Sequence, residues 1–251
     1  MSQRIEVVAV AGVVEIAAGE DLGAALAATA PGAIGGEDVV VVSHKVVSKA
    51  EGRIRRLGDV APGAEAVELA KGLDKDPRLV QLVLDESERV VRAERGVLIA
   101  ETRMGWICAN AGIDASNVPG EDAVALLPED ADASARRIRA QLQAAAGCSP
   151  AVIVADSFGR PWRVGQVDVA IGCAGLSPLD DWRGRVDAHG RGLTATVVAV
   201  ADEVAAAADL VRAKDARVPA AIVSGLGRHV TSEDGPGAAP LRRALAEDLF
   251  R

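Results

Sequence analysis

The chain has 251 residues, of which 49% are hydrophobic and 25% charged, a balance that excludes a disordered protein. Three cysteines cannot staple a chain of this length, and two Phe, three Trp and no Tyr leave no aromatic platform for single-stranded nucleic acid. A formal net charge of -8 makes a poor general nucleic-acid binder, although local Arg and Lys or a bound cation would still admit a polyphosphate.

Periodicity predicts the following elements in chain order. Glu6–Val10 alternates weakly and reads as a strand. Asp21–Ala28 reads as a short helix with Asp21 near its cap. Asp38–Ser43 is a β-branched run and reads as a buried strand. Asp76 followed by Pro77 is a helix start, and the helix is expected to run through Val80, Val83, Leu84, Val90 and Val91 to about Arg92. Gly96–Glu101 and Trp106–Asn110 read as strands. Asp132 is expected to cap a helix carrying Ile138, Leu142 and Ala145 on one face. Pro150–Asp156 and Leu193–Val200 read as strands, Asp202–Arg212 as a helix and Val218–Val223 as a strand. Leu241–Arg251 reads as a short amphipathic helix. Residues 158–192, rich in Gly, Arg and Asp, give no assignable element. Strands and helices interleave without a regular βαβ rhythm, so the expected class is mixed α+β with one subdomain inserted in another.

The opening residues lack a basic segment followed by an uninterrupted apolar run, and no stretch approaches the roughly 18 apolar residues of a membrane span. Cys108, Cys148 and Cys173 are isolated and read as small buried hydrophobes in a reducing cytoplasm. Neither a membrane nor a nucleic acid is expected as partner.

The familiar nucleotide fingerprints G-x-x-x-x-G-K-[ST] and G-x-G-x-x-G are absent, as are H-E-x-x-H, G-x-S-x-G and zinc spacings. Three segments carry the candidate chemistry. In Ser43–Gly52, Lys45 and Lys49 are four apart and share a face of any helix, where with Ser43 and Ser48 they suit phosphates. They equally suit a solvated basic face. In Trp106–Asn117, Asn110, Gly112, Asp114, Ser116 and Asn117 follow an apolar run, and such oxygen-bearing side chains suit Mg²⁺ or Mn²⁺ as well as a plain turn. In Ala151–Arg163, an apolar strand ends in Asp156 and Ser157. Arg160 and Arg163 add guanidinium forks for phosphate or carboxylate, Trp162 sits among them, and Gln166 and Asp168 follow. Two Asp-bearing turns with Lys and Arg groups suggest metal-assisted phosphoryl chemistry.

The runs VVSHKVVSKAEGR, ETRMGWICANAGIDASNV, LLPEDADASARRIR and ADSFGRPWRVGQVDVAIGCAG resemble the coenzyme F420-0:L-glutamate ligase family, over about Ile5 to Gly225. The resemblance implies a two-part α+β fold of intertwined subdomains, one ligase domain spanning residues 1–251, and a homodimer. It implies a ligase that adds L-glutamate through γ-linkages to F420-0 or its dehydro precursor. GTP is the co-substrate, with an acyl-phosphate intermediate and GDP and phosphate as products. Mg²⁺ or Mn²⁺ at two sites and K⁺ are the implied cofactors. A C-terminal flavin reductase domain, carried by some members, is not expected in this chain.

Carried onto this sequence, Asp114 and Asp156 match the family's metal-binding aspartates, and Ser157 stands where many members have Thr and would hold a second metal. Asn117 matches a nucleotide contact. His44, Lys45 and Lys49 fall in the GTP-contacting segment, as does Val10-Ala11-Gly12-Val13. Near Arg212–Pro219, where the family has Met-Gly followed by Lys or Glu, this sequence reads Arg212-Ala213-Lys214. Lys214 falls at the nucleotide contact there, and Asp215 is a stand-in metal ligand. Arg160 and Arg163 are assigned to phosphate or substrate carboxylate on their own chemistry. Two other readings are open: a metal-nucleotide-binding regulatory module without catalysis, and a different metal-dependent phosphoryl-transfer enzyme on the same scaffold.

Overall fold

The structure is a computed structural model, and it describes residues 4–248. In sequence order its elements are β1 (Glu6–Val10), α1 (Leu22–Thr29), β2 (Val39–Ser43), α2 (His44–Ala50), β3 (Ile54–Arg56), α3 (Ala64–Leu73), α4 (Pro77–Asp85), β4 (Ser87–Glu94), β5 (Val97–Thr102), β6 (Ile107–Ala109), β7 (Ala123–Ala125), α5 (Ala131–Ala146), β8 (Ala151–Arg160), β9 (Arg163–Ala174), β10 (Asp180–Asp181), β11 (Val197–Val198), α6 (Val200–Asp209) and β12 (Ala220–Ser224).

Val39 to Val42 are all fully buried, as a β-branched run covered on both faces must be. They form the centre of a five-stranded sheet in the order β1-β12-β2-β8-β9, in which β2 and β8 run parallel and the other neighbours antiparallel. The alternation of strand side chains divides the core. Val40, Val42, Val152 and Val154 face α1 and α5 through Leu22, Leu26, Ile138 and Leu142. Val39, Val41 and Ile153 face α6 through Val200, Ala201, Val204 and Ala205. A third apolar cluster, built around Leu73, Val80, Val83, Leu98 and Leu126, draws wholly on residues between α2 and α5. It lies among α3, α4, the β3–β7 pair and the β4-β5-β6 sheet. The expected α+β class with an inserted subdomain is therefore what the protein adopts. Among the described residues, no helix is long and apolar enough to cross a membrane.

Several local expectations are corrected. Asp76 does cap α4, accepting the Arg78 N–H at 2.8 Å, but α4 ends at Asp85. Val90 and Val91 belong to β4, where β-branched residues pair against β5. The helix α3 is an addition to the expected elements, although Ala66, Ala70 and Leu73 repeat at helical spacing on its buried side. Asp130, not Asp132, caps α5 by accepting the Ala133 N–H at 2.8 Å. Asp132 instead accepts the N–H groups of Cys173 and Ala238, each at 2.8 Å, and so ties β9 and the C-terminal segment to α5. The expected strand Leu193–Val200 contracts to β11, and α6 begins at Val200. Leu241–Arg251 is not one helix: 3-10 turns cover Ala239–Leu241 and Leu245–Glu247, and the expectation's last three residues lie outside those described. The strand through Asp156 does not stop there, because β8 and β9 form a long hairpin that runs into the Gly- and Arg-rich segment.

The sheet and α5 approach closely at Gly172, where a Cβ would collide with the backbone carbonyl of Ala131. Gly172→Ala is expected to push α5 off the sheet and lower stability by about 1–3 kcal/mol, the usual cost of overpacking. Urea unfolding of the two proteins checks this, and unchanged midpoints would refute the close approach.

Candidate functional site

The site grows from one row of residues. Val10, Ala220, Val42 and Val154 stand opposite one another across four strands, which brings the ends of β1 and β2 level with the middle of β8, a strand that runs on to Arg160. In open sheets, ligands bind beyond the carboxyl ends of parallel strands, and this is that end for β2, with β8 running on past it. β2 passes into α2 without a loop. The Ser43 N–H donates to Pro219 O at 2.8 Å, so the segment before β12 is stitched to the same place. Next to it the backbone leaves β1 at Val10 and passes through Ala11, Gly12 and Val13. Gly12 has φ +79°, a conformation that favours glycine.

Asp114 arrives from the inserted unit, anchored by two backbone hydrogen bonds with Ala125 of 3.1 and 2.8 Å. Its carboxylate accepts the Ser116 N–H at 2.7 Å and the Ser116 hydroxyl at 3.0 Å, and lies 2.8 Å from Lys45 Nζ. Lys45 also donates to Ser116 Oγ at 2.6 Å. Burial is the largest influence on the Asp114 carboxyl and pushes it up, but Lys45 and the two Ser116 donors together hold it below its ordinary value. Asn117, at φ +56°, donates from Nδ2 to Lys214 O at 3.2 Å.

On β8, Asp156 lies beside the first residue of α2, with Oδ1 at 3.2 Å from His44 Nε2 and accepting the Ser157 N–H at 2.7 Å. Ser157 stands opposite Asp168 in the β8–β9 register and donates its hydroxyl to Asp168 Oδ1 at 2.6 Å. The other Asp168 oxygen is held by Arg212 Nη2; both side chains are only 5% exposed. Lys214 Nζ donates to Ser157 Oγ at 2.8 Å and lies 3.4 Å from Asp209. His44, Lys45, Asp114, Asn117, Asp156, Ser157 and Lys214 are thus gathered at one edge, with Val10–Val13 leaving the sheet at the same level.

Four expected groups stand outside this cluster. Lys49 is turned to Glu15 at 2.5 Å. Arg160 and Arg163 flank the β8–β9 turn, four strand residues and so about 13 Å beyond Asp156. There Arg160 donates to the carbonyls of Val164 and Gly165 at 2.6 and 3.3 Å. Asp215 is exposed in the turn after Lys214. The group that sequence reasoning misses is Arg212, which enters it only as a departure from the family pattern. No local signal marks it, because its partner Asp168 lies 44 positions away. Among the described residues, no three His, Cys, Asp or Glu side chains gather into one metal nest. Asp114, Asp156 and the Ser157 hydroxyl each offer an oxygen of the type that Mg²⁺ or Mn²⁺ takes. Burial, aided by Asp156, pushes the Cys108 thiol up to about 12, which removes it as a nucleophile.

These features define an α+β protein that pairs carboxylates with cationic groups where β2 ends beside β8. The profile of the F420-0:gamma-glutamyl ligase family matches residues 12–225, and the protein belongs to that family. It is 47% identical over 216 residues to the coenzyme F420:L-glutamate ligase of Methanothermobacter thermautotrophicus, spanning 85% of this sequence and 84% of that one. It is 45% identical over 255 residues to the protein of the same name from Haloarcula marismortui, spanning 97% and 98%. It is 44% identical over 216 residues to that from Methanopyrus kandleri, spanning 85% of each.

Two outcomes follow from the geometry. Asp168→Ala leaves the buried Arg212 charge unpaired and is expected to cost about 3–5 kcal/mol in chemical denaturation; a loss below about 1 kcal/mol would show the pair to be dispensable. Lys45→Met is expected to move the Asp114 carboxyl up, read by carboxyl-carbon NMR titration. A lowered carboxylate stabilises the fold above its ordinary unfolded value and loses that contribution as pH falls through the folded value. The variant should therefore lose less stability than the wild type across that acidic window.

Proposed function

We propose that the protein is an amide-forming ligase that joins L-glutamate through γ-linkages to coenzyme F420-0 or its dehydro precursor, driven by GTP. The observation that carries this reading is the meeting of the Asp114 turn, the start of α2 and Asp156 at one sheet edge, in a protein whose relatives bear the ligase name. An acceptor carboxylate attacks the γ-phosphate, the bond to GDP breaks, and an acyl phosphate forms. The glutamate amine then attacks the acyl carbon, phosphate leaves, and the amine loses a proton to give the amide. Such a sequence needs positioning and charge stabilisation more than covalent help from the protein.

In this reading the backbone of Val10–Val13, with His44, Lys45, Lys49, Asn117 and Lys214, holds the nucleotide. Asp114 and Asp156 hold Mg²⁺ or Mn²⁺, Ser157 serves a second ion, and K⁺ assists. Such cations, when bound, supply charge neutralisation to the phosphate oxygens. Arg160 and Arg163 extend the cationic surface along the hairpin toward substrate carboxylates. The reading includes a homodimer, supported by the exposed apolar hairpin tip, where Trp162 is 78% and Val164 98% exposed. Light scattering checks the homodimer, and a monomeric mass at micromolar concentration would remove it.

A metal-nucleotide-binding regulatory module is the second reading, favoured by Arg212 being spent on Asp168 instead of facing the cleft. Incubation with F420-0, L-glutamate, GTP and Mn²⁺, followed by mass spectrometry, separates the two. The ligase gives a ladder of added glutamyl units that EDTA abolishes, whereas the module binds GTP and adds no mass. Asp156→Asn is expected to lower kcat/KM by about 100-fold or more while the protein remains folded. Full activity in that variant would remove Asp156 from the site.

A further inference from the structure

His44 enters the reading above only as part of the nucleotide segment, yet its imidazole is 1% exposed, and neither ring nitrogen has a hydrogen-bond partner among the described residues. Buried polar groups are nearly always satisfied, so an unspent imidazole calls for a reason. The ring's place follows from the strand pairing: Ser43 stands opposite Ala155, so His44 and Asp156 are the next residues along the two parallel strands. Nε2 lies 3.2 Å from Asp156 Oδ1 but out of line for a hydrogen bond. The Asp156 carboxylate, only 12% exposed, is asymmetric. Its Oδ1 accepts the Ser157 N–H and is the oxygen nearest His44 Nε2, whereas Oδ2 does not accept that N–H. Hydrogen bonds at reaction centres are often poorly aligned before loading and tighten on it.

We propose that His44 is a positioning residue for Asp156. Its Nε2–H holds Oδ1 once the site is loaded, so that the carboxylate presents Oδ2 alone to a divalent cation. The inference rests on the reading of Asp156 as a cation ligand. It gives the ring a donor role at Nε2, the outer-shell arrangement that fixes the orientation of ligating carboxylates.

The test is Mn²⁺ titration of the whole protein in the presence of GTP, with free Mn²⁺ read by electron paramagnetic resonance. His44→Phe, which keeps the bulk and removes the donor, is expected to weaken Mn²⁺ binding by about 10–100-fold. His44→Gln, whose amide N–H reaches in the same direction, is expected to recover most of that loss. The wild-type imidazole nitrogens, read by long-range ¹H–¹⁵N NMR, are expected to show the Nε2–H tautomer. Unchanged Mn²⁺ affinity in His44→Phe overturns the proposal, as does an Nδ1–H tautomer in the wild type. If Asp156→Asn abolishes Mn²⁺ binding while His44→Phe leaves it intact, the positioning role alone falls. If the wild type itself shows no saturable Mn²⁺ site, the reading of Asp156 as a ligand falls and the positioning role with it.

Discussion

The parallel pairing of β2 with β8 is the constraint on which the rest of the structure depends. Val39 to Val42 are buried on both faces, and a slip of one residue would send every side chain to the opposite core. The register is thereby fixed, with Val42 opposite Val154 and Ser43 opposite Ala155. Because α2 starts on the next residue, the helix start inherits that precision. His44 and Asp156 are neighbours for the same reason that Val42 and Val154 are. The antiparallel strands transmit the reference outward, setting Ala220 and Val10 at the level of Val42. The close contact of Gly172 with Ala131 then fixes the depth at which α5 covers the sheet.

A protein with 28 basic and 36 acidic side chains can offer positive charge to a polyanion only locally. It does so through cations already paired with its own oxygens: Lys45 with Asp114, Lys49 with Glu15, and Lys214 with Ser157 and Asp209. These pairs differ in kind. Arg212 and Asp168 are buried, so breaking their pairing is costly and the guanidinium is withheld from ligands. Lys214 is largely exposed, and its attachment to Ser157 is one that water and salt weaken. Burial therefore separates the charges that build the cleft from those available to use in it.

What can be read from the sequence follows from the range of the interactions involved. The buried run at Val39–Ser43 and the Asp76-Pro77 helix start are short-range signals, and they lie where expected; Asp156 reads as the end of a strand, whereas β8 continues through it to Arg160 because β9 pairs with it over that length. Val90 and Val91 invite a helical reading because the apolar spacing from Val80 continues past Asp85; pairing with β5, a nonlocal interaction, decides otherwise. Asp132 resembles a cap because it precedes an amphipathic run, but its carboxylate is committed to Cys173 and Ala238, neither of them near in sequence. Arg212 is legible only as a departure from a pattern. Its meaning depends on Asp168, which a hairpin register and the packing of the segment after α6 bring to it.

The same distinction of range bears on how the proposed site would work. Lys45 is bound to Asp114, so a cation that took its place on that carboxylate would free it to turn fully to a phosphate. Lys49 likewise leaves Glu15 only for a stronger anion. A nucleotide arriving alone would compete with the protein's own carboxylates for both ammonium groups, and a cation arriving alone would displace Lys45 with no anion to receive it. At Lys45 and Asp114 the exchange would leave both charges partnered when cation and nucleotide arrive together. In the proposed site this self-neutralisation would couple cation and nucleotide binding without any movement of the sheet that positions them.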